Sequence, residues 1–153
     1  MTRPVPAFDW IGHHADLSPG AVALIDDGRS LTLTYADLED QSRRLAAWLA
    51  ANGVGEGDRV AILAGNTTDV FEALFACAKL TAILVPLNWR LAVPELQFIV
   101  DDCRPQVLIY EDTYAAESAE LAAPVKLQLG DDYAAAKAAS HPDGVGPVSY
   151  THL

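Results

Sequence analysis

Apolar positions in this chain recur with two periods, one helical and one alternating or continuous over short runs. In residues 8–17, Phe8, Ile11 and Ala15 fall on one helical side, and Ser18-Pro19-Gly20 ends the run. Residues 21–25 (AVALI) and 31–33 (LTL) are short apolar strands around Asp26-Asp27-Gly28-Arg29. They predict a hairpin whose turn places Gly28 where positive φ is cheap. Thr34 opens a long helix in which Tyr35, Leu38, Leu45, Trp48 and Leu49 share a face. Thr34 and Asp37 have the spacing of a capping box, and Asn52-Gly53 has the chemistry of a left-handed end.

From Arg59 onward, strands and helices alternate. Residues 59–63 (RVAIL), 82–85, 106–110 (QVLIY) and 125–129 read as strands. Residues 68–80, a segment from Pro94 to Arg104, residues 113–122 and residues 132–139 read as helices. In the first of these helices Val70, Phe71, Leu74, Phe75 and Ala78 are expected to form the core face. Pro94 and Glu95 suit the first turn of the second, and Arg104-Pro105 stops it. The β-α-β-α-β-α-β order predicts a parallel sheet with right-handed crossovers, an α/β fold preceded by a small hairpin. Residues 141–153 lack apolar periodicity and read as a loop or tail.

Composition narrows the classes. The 153 residues suffice for one core, and the 51% hydrophobic and 20% charged content is ordinary for a soluble domain. No apolar run approaches the roughly 20 residues of a bilayer span. The opening MTRPVPAFDW lacks the apolar core of a secretory signal, so cytoplasmic localisation is expected. A net charge of −11 argues against nucleic acid and anionic membranes as partners. Arg43-Arg44, the only adjacent basic pair, reads as a solvated helix edge. Cys77 and Cys103 form no metal or redox motif and read as reduced and structural. His13 and His14 point about 100° apart on a helix and do not converge on one metal.

Candidate chemistry is sparse. There is no GxGxxG and no GxxxxGK[ST]. The glycines of Gly53-Val54-Gly55-Glu56-Gly57 join a helix end to a strand start, the reverse of a phosphate loop. Two strand-to-helix junctions remain. Gly65-Asn66-Thr67-Thr68 can cap a helix or hold an anion, and capping is preferred. At Asn88-Trp89-Arg90, Arg90 can grip an anion and Trp89 can stack on a ring. A surface ion pair and a packing anchor are the preferred readings. The acidic pairs Asp26-Asp27, Glu39-Asp40, Asp101-Asp102 and Asp131-Asp132 are expected in turns or on exposed faces.

Four segments in order carry a family resemblance. Leu33-Thr34-Tyr35-Ala36-Asp37-Leu38 resembles L-[ST]-Y-x-E-L. Asn52-Gly53-Val54 with Gly57-Asp58-Arg59-Val60-Ala61 resembles G-V-x-x-G-D-x-V-A. The segment 78–88 resembles K-x-G-A-x-x-V-P-L-N, with Thr81 where the family usually has glycine. Asn88-Trp89-Arg90-Leu91 followed by Glu95-Leu96 resembles a variant found in bacterial fatty-acyl-CoA synthetases. The chain thus resembles, from about Phe8 to Tyr133, the N-terminal part of AMP-binding, adenylate-forming acyl-CoA synthetases. Residues 1–140 would then be an incomplete N-terminal part of the AMP-binding domain.

The resemblance implies that a parent enzyme joins a carboxylic acid to CoA through an acyl-adenylate, using ATP and Mg²⁺. The phosphate loop Y-T-S-G-T-T-G-x-P-K-G is absent from this sequence. Val148-Ser149-Tyr150-Thr151 starts like its lead-in, but His152-Leu153 breaks it, and the last residues are expected to be non-native. No catalytic, cofactor-binding or metal residue is assigned within 1–153. The chain alone is expected to be inactive, without cofactor, and to self-associate through an exposed sheet edge and apolar surface. The alternative is a free-standing, non-catalytic α/β binding or regulatory module.

Overall fold

The structure is a computed structural model, described here for residues 9–144. Helix α1 (Trp10–Leu17) starts at Asp9, whose carboxylate accepts the Gly12 N–H. Strands β1 (Val22–Asp26) and β2 (Leu31–Thr34) form the expected antiparallel hairpin. Its turn differs in one detail. The left-handed residue is Ser30, at φ 51°, not Gly28. The Asp26 carboxylate accepts the Arg29 N–H and orders the turn, so the chain reverses one step later.

Helix α2 (Tyr35–Ala51) begins with the capping box read from the sequence. Thr34 Oγ1 accepts the Asp37 N–H, and the Asp37 carboxylate accepts the Thr34 N–H. It buries Leu38, Leu45 and Leu49. It ends in a Schellman motif: Val54 N–H bonds Leu49 O at 3.0 Å and Gly53 N–H bonds Ala50 O at 3.1 Å, with Gly53 at φ 87°.

Then come β3 (Arg59–Leu63), α3 (Thr68–Lys79), β4 (Ile83–Pro86), α4 (Val93–Cys103), β5 (Val107–Tyr110), α5 (Ala115–Glu120), β6 (Val125–Gln128) and α6 (Asp131–Ala138). A 3-10 turn, Asp112–Tyr114, precedes α5, and another, Pro142–Gly144, packs against α2. The rest of the segment read as a tail lies outside the described residues. The four strands are parallel in the order β4-β3-β5-β6. One sheet face packs Val60, Ile62, Val107, Ile109 and Leu127 against α2, α3 and α6. The other packs Ala61, Leu63 and Leu108 against α4 and Leu121. Both central strands are buried on both faces, as parallel strands require.

Helix α3 departs from its expected orientation. Its buried residues are Thr68, Asp69, Glu72, Ala73, Ala76, Cys77 and Lys79. Phe71 and Leu74, expected in the core, stand 45% and 44% exposed, and Val70, Phe75 and Ala78 are only half-buried. The small residues Ala73 and Ala76 let α3 approach α2 closely. The polar residues beside them are neutralised by partners distant in sequence. Asp69 accepts from Arg29 of the hairpin turn at 2.6 Å. Glu72 accepts from Tyr133 Oη at 2.8 Å and Lys137 Nζ at 2.6 Å, both on α6. Lys79 donates to Glu39 at 2.6 Å and Asp9 at 2.9 Å. A buried charge paired in this way is tolerated, whereas an unpaired one is not. Glu39 is accordingly engaged, not a member of an exposed acidic pair.

The end of α3 is a second Schellman motif. Ala82 N–H bonds Cys77 O at 2.9 Å, and Thr81 N–H bonds Ala78 O at 3.2 Å. Thr81 sits at φ 55°, a position that favours glycine. Arg43 and Arg44 are likewise not merely solvated. They donate to the carbonyls of Pro142 and Ser140 at 3.2 and 3.3 Å, holding the C-terminal turn on α2.

Candidate functional site

In an open parallel sheet, ligands bind where neighbouring crossovers leave in opposite directions. Here that point is between β3 and β5, because β4 lies to one side of β3 and β6 to the far side of β5. The loop after β3 is Gly65-Asn66-Thr67, leading into α3. The loop after β5 begins at Glu111. The two meet directly. The Glu111 carboxylate accepts the Gly65 N–H at 2.9 Å, and Glu111 N–H continues the ladder to Leu63 O at 3.0 Å.

This geometry removes the anion reading of Gly65-Asn66-Thr67-Thr68. A backbone donor that would face an anion is taken by the protein's own carboxylate, and Asp69 lies in the first turn of α3. Arg29 supplies the balancing charge. Its pKa is raised by the hydrogen bond to Asp69, with burial opposing and the Asp69, Asp26 and Glu111 charges assisting. The side-chain cap preferred for this segment is also absent. Thr67 occupies the N-cap position, yet its hydroxyl lies 3.4 Å from the Asp69 carboxylate instead of bonding the helix. Thr68 Oγ1 is buried with no partner among the described residues. The crevice therefore presents Glu111 and the Arg29-paired Asp69, with one backbone donor already taken, which makes it a poor place for a phosphate.

At the end of β4, Asn88-Trp89-Arg90 forms a small surface assembly. Asn88 Oδ1 accepts the Arg90 N–H at 3.1 Å, tightening the turn. The Trp89 ring stacks on Tyr114 with centroids 6.2 Å apart, joining the β4 exit to the loop after β5. Arg90 lies over the Trp89 ring at 4.2 Å and has no carboxylate partner among the described residues, so the expected ion pair is replaced by a cation–π contact. Trp89 remains 41% exposed, a brace at the surface and not a core anchor. Just beyond, Leu91, Pro94, Glu95, Phe98 and Ile99 line a shallow, mainly apolar groove of about 410 Å³. Its one carboxylate, Glu95, caps α4 by accepting the Ala92 N–H at 2.9 Å.

The remaining reactive groups are quiet. Cys77 is buried, and burial pushes its thiol up to about 12. Cys103 is half-buried at the end of α4 and is raised more modestly, chiefly by burial. Tyr133 is held well above its ordinary value by burial and by the charge of Glu72. His14 stacks on Tyr35 at 4.9 Å, with His13 edge-on to it. Among the described residues no three His, Cys, Asp or Glu side chains are grouped to hold a metal, and no helix is long and apolar enough to cross a membrane.

The profile of the AMP-binding enzyme family matches residues 11–146. The chain belongs to that family. Among its relatives, an indoleacetate–CoA ligase from Aromatoleum aromaticum is 43% identical over 109 residues, covering 71% of this chain and 21% of the relative. A fatty acid–[acyl-carrier-protein] ligase from Streptomyces coeruleorubidus is 41% identical over 133 residues, covering 85% of this chain and 25% of the relative. The N-terminal domain of FACL13 from Mycobacterium tuberculosis superposes with a TM-score of 0.86 at 26% identity, covering 97% of this chain and 39% of that domain. This chain therefore spans about a fifth to a quarter of the length of such curated family members. Thr81, at φ 55°, occupies a left-handed position of the kind that favours the glycine of the motif it resembles.

Proposed function

We propose that this chain is the N-terminal portion of an AMP-forming acid–thiol ligase of the fatty-acyl-CoA synthetase type. The observation that carries the reading is the family match across residues 11–146 in a chain that lacks the phosphate loop. In the parent, a carboxylate attacks the α-phosphorus of ATP, forming a mixed anhydride and releasing pyrophosphate. A thiol, CoA in this proposal, then attacks the acyl carbon and AMP leaves. Mg²⁺ would offset phosphate charge in the first step. The described residues do not fit that ion, because they offer no suitable group of three ligands.

The role assigned to residues 1–140 is that of a scaffold, with residues 141–153 a loop or non-native tail. No residue within 1–153 is assigned a catalytic, cofactor-binding or metal role. At the crevice where the sheet topology favours a ligand, Glu111 already takes the Gly65 N–H, which supports that assignment. The substrate class is a carboxylic acid, and the compartment is the cytoplasm. The names of the relatives, which include indoleacetate and fatty acid ligases, support the class without singling out one acid.

The test is ATP–pyrophosphate exchange, measured on this chain and on the product of the complete reading frame. The expected outcome is exchange by the complete product and none by the 153-residue chain. Exchange by the short chain would overturn the scaffold assignment. A natural stop after Leu153 in an independent clone would overturn the ligase reading in favour of a free-standing, non-catalytic module.

A further inference from the structure

The chain has three asparagines, and one of them, Asn52, is followed by glycine. Asn66 precedes the β-branched Thr67 and Asn88 precedes Trp89, side chains that crowd the amide nitrogen they share a residue with. Gly53 has no Cβ to hinder approach to its nitrogen. In an Asn-Gly pair that nitrogen can reach the asparagine Cγ and close a five-membered ring.

The fold holds this pair in an unreactive arrangement. Asn52 is the C-cap of α2, at φ −100° and ψ 19°. Its side-chain amide turns back along the helix and donates to Trp48 O at 2.8 Å. The Gly53 N–H, whose nitrogen would be the nucleophile, donates to Ala50 O at 3.1 Å. The next amide, that of Val54, bonds Leu49 O at 3.0 Å, and the Val54 side chain is buried in the core. Gln106, just before β5, donates from Nε2 to Asn52 O at 3.2 Å and ties the helix end to the sheet. Ring closure requires the Asn52 side chain to leave Trp48 and the Gly53 N–H to leave Ala50. Gly53 is exposed and Asn52 half-buried, so solvent reaches the pair once the helix end frays.

We propose that Asn52-Gly53 is a site of spontaneous deamidation, gated by local opening of the α2 C-terminus, and that its product loosens that end. In the open form hydroxide removes the Gly53 amide proton, and the nitrogen attacks Asn52 Cγ. The Cγ–Nδ2 bond breaks, and the side-chain nitrogen leaves as ammonia with a proton from water. A water molecule then opens the succinimide. Addition at the side-chain carbonyl gives aspartate, and addition at the main-chain carbonyl gives isoaspartate, linked onward through Cγ. Neither step oxidises or reduces any atom. Both products replace a donor that faces Trp48 O by a carboxylate, at the negative end of the helix dipole. Isoaspartate also adds a methylene to the main chain, which shifts Gly53 and Val54 out of register with Ala50 and Leu49.

The purified chain is incubated at pH 8, folded or unfolded in urea. Peptides are read by mass spectrometry for a gain of about one dalton and by enzymatic methylation for isoaspartate. The expected result is modification at Asn52 before Asn66 and Asn88, at least about 10-fold more slowly in the folded chain than in urea. Gln106→Ala should raise the folded rate by about 3- to 5-fold and leave the rate in urea unchanged. Urea below the unfolding transition should leave the folded rate within about 2-fold, because a local opening exposes little surface. Asn52→Gln, whose ring would have six members, should give no product over the same period. Asn52→Asp should lower the melting temperature by about 3 °C. Equal folded and unfolded rates would overturn the gate, as would a folded rate that climbs with urea in parallel with global unfolding. Earlier modification at Asn66 or Asn88 would overturn the site. An Asn52→Asp chain that melts with the unchanged one would overturn the effect assigned to the product.

Discussion

Replacing Thr81 with glycine should make this chain more stable. Thr81 occupies the left-handed position of the Schellman motif that ends α3, at φ 55°. A β-branched side chain there crowds its own backbone, at a cost of about 1–2 kcal/mol. The threonine hydroxyl makes no hydrogen bond among the described residues, so little is lost with it. Glycine returns roughly 0.5–1 kcal/mol through the greater freedom of its unfolded chain. The difference is a net gain of about 0.5–1 kcal/mol, or roughly 2–3 °C in melting temperature for a chain of this size. The check is urea unfolding followed by circular dichroism, with a higher midpoint and an unchanged m-value. Gly53, at φ 87° in the equivalent motif at the end of α2, is the internal control. Gly53→Ala should destabilise by about 1 kcal/mol or more, because a Cβ there meets Gln106 Nε2 at 3.3 Å as well as adopting a strained φ. A Thr81→Gly midpoint equal to or below that of the unchanged chain would refute the strain argument.

Three further outcomes follow from the buried polar contacts and the thiols. Glu72→Ala leaves Lys137 and Tyr133 without their shared acceptor, and urea unfolding should show a loss of about 3–5 kcal/mol, whereas Glu72→Met combined with Lys137→Met and Tyr133→Phe should recover most of it. Asp37→Asn should cost about 0.5 kcal/mol at pH 7, because the carboxylate is exposed at the helix start. Thr34 holds the Asp37 pKa below 3.8, so the carboxylate's contribution is full above that value and disappears as pH falls through the lower, folded one; a variant penalty that persists unchanged at acid pH would count against the cap. Cys103 should react with a disulfide reagent at pH 8 before Cys77, whose thiol titrates near 12 and whose modification should track global unfolding; equal rates would show that α3 opens separately.

The sheet was legible because its evidence is local. RVAIL and QVLIY are continuous apolar runs between turn residues, and they became the two central strands. Both ends of α2 were readable from single side chains, Thr34 with Asp37 and then Gly53. The orientation of α3 was not readable in the same way. Its apolar period marks a surface that avoids water, but the period does not say which body provides the cover. Asp69, Glu72 and Lys79 find partners 40 to 70 positions away, and no short window contains such pairs. The Gly65–Glu111 contact across the β3–β5 crevice was hidden for the same reason, since the two residues are brought together only by the strand order. For Arg90, the adjacent Trp89 was a visible signal, and adjacency in an extended turn allowed the cation–π contact that an ion-pair expectation overlooked.

The inward charges of α3 have a consequence for synthesis on the ribosome. They tie the hairpin, α1, α2 and α6 to one helix using only residues that have already emerged by Lys137. This region can therefore reach its shape early, with Phe71 and Leu74 facing outward. In a nascent chain as long as the family's full-length members, about 400 residues would still have to be made, which takes roughly 20–80 s. Throughout that interval Phe71 and Leu74 would stay exposed, and exposed apolar surface on a nascent chain favours chaperone contact and aggregation between neighbouring chains. The same arrangement that makes the first region independent of the rest thus sets the period over which it needs protection.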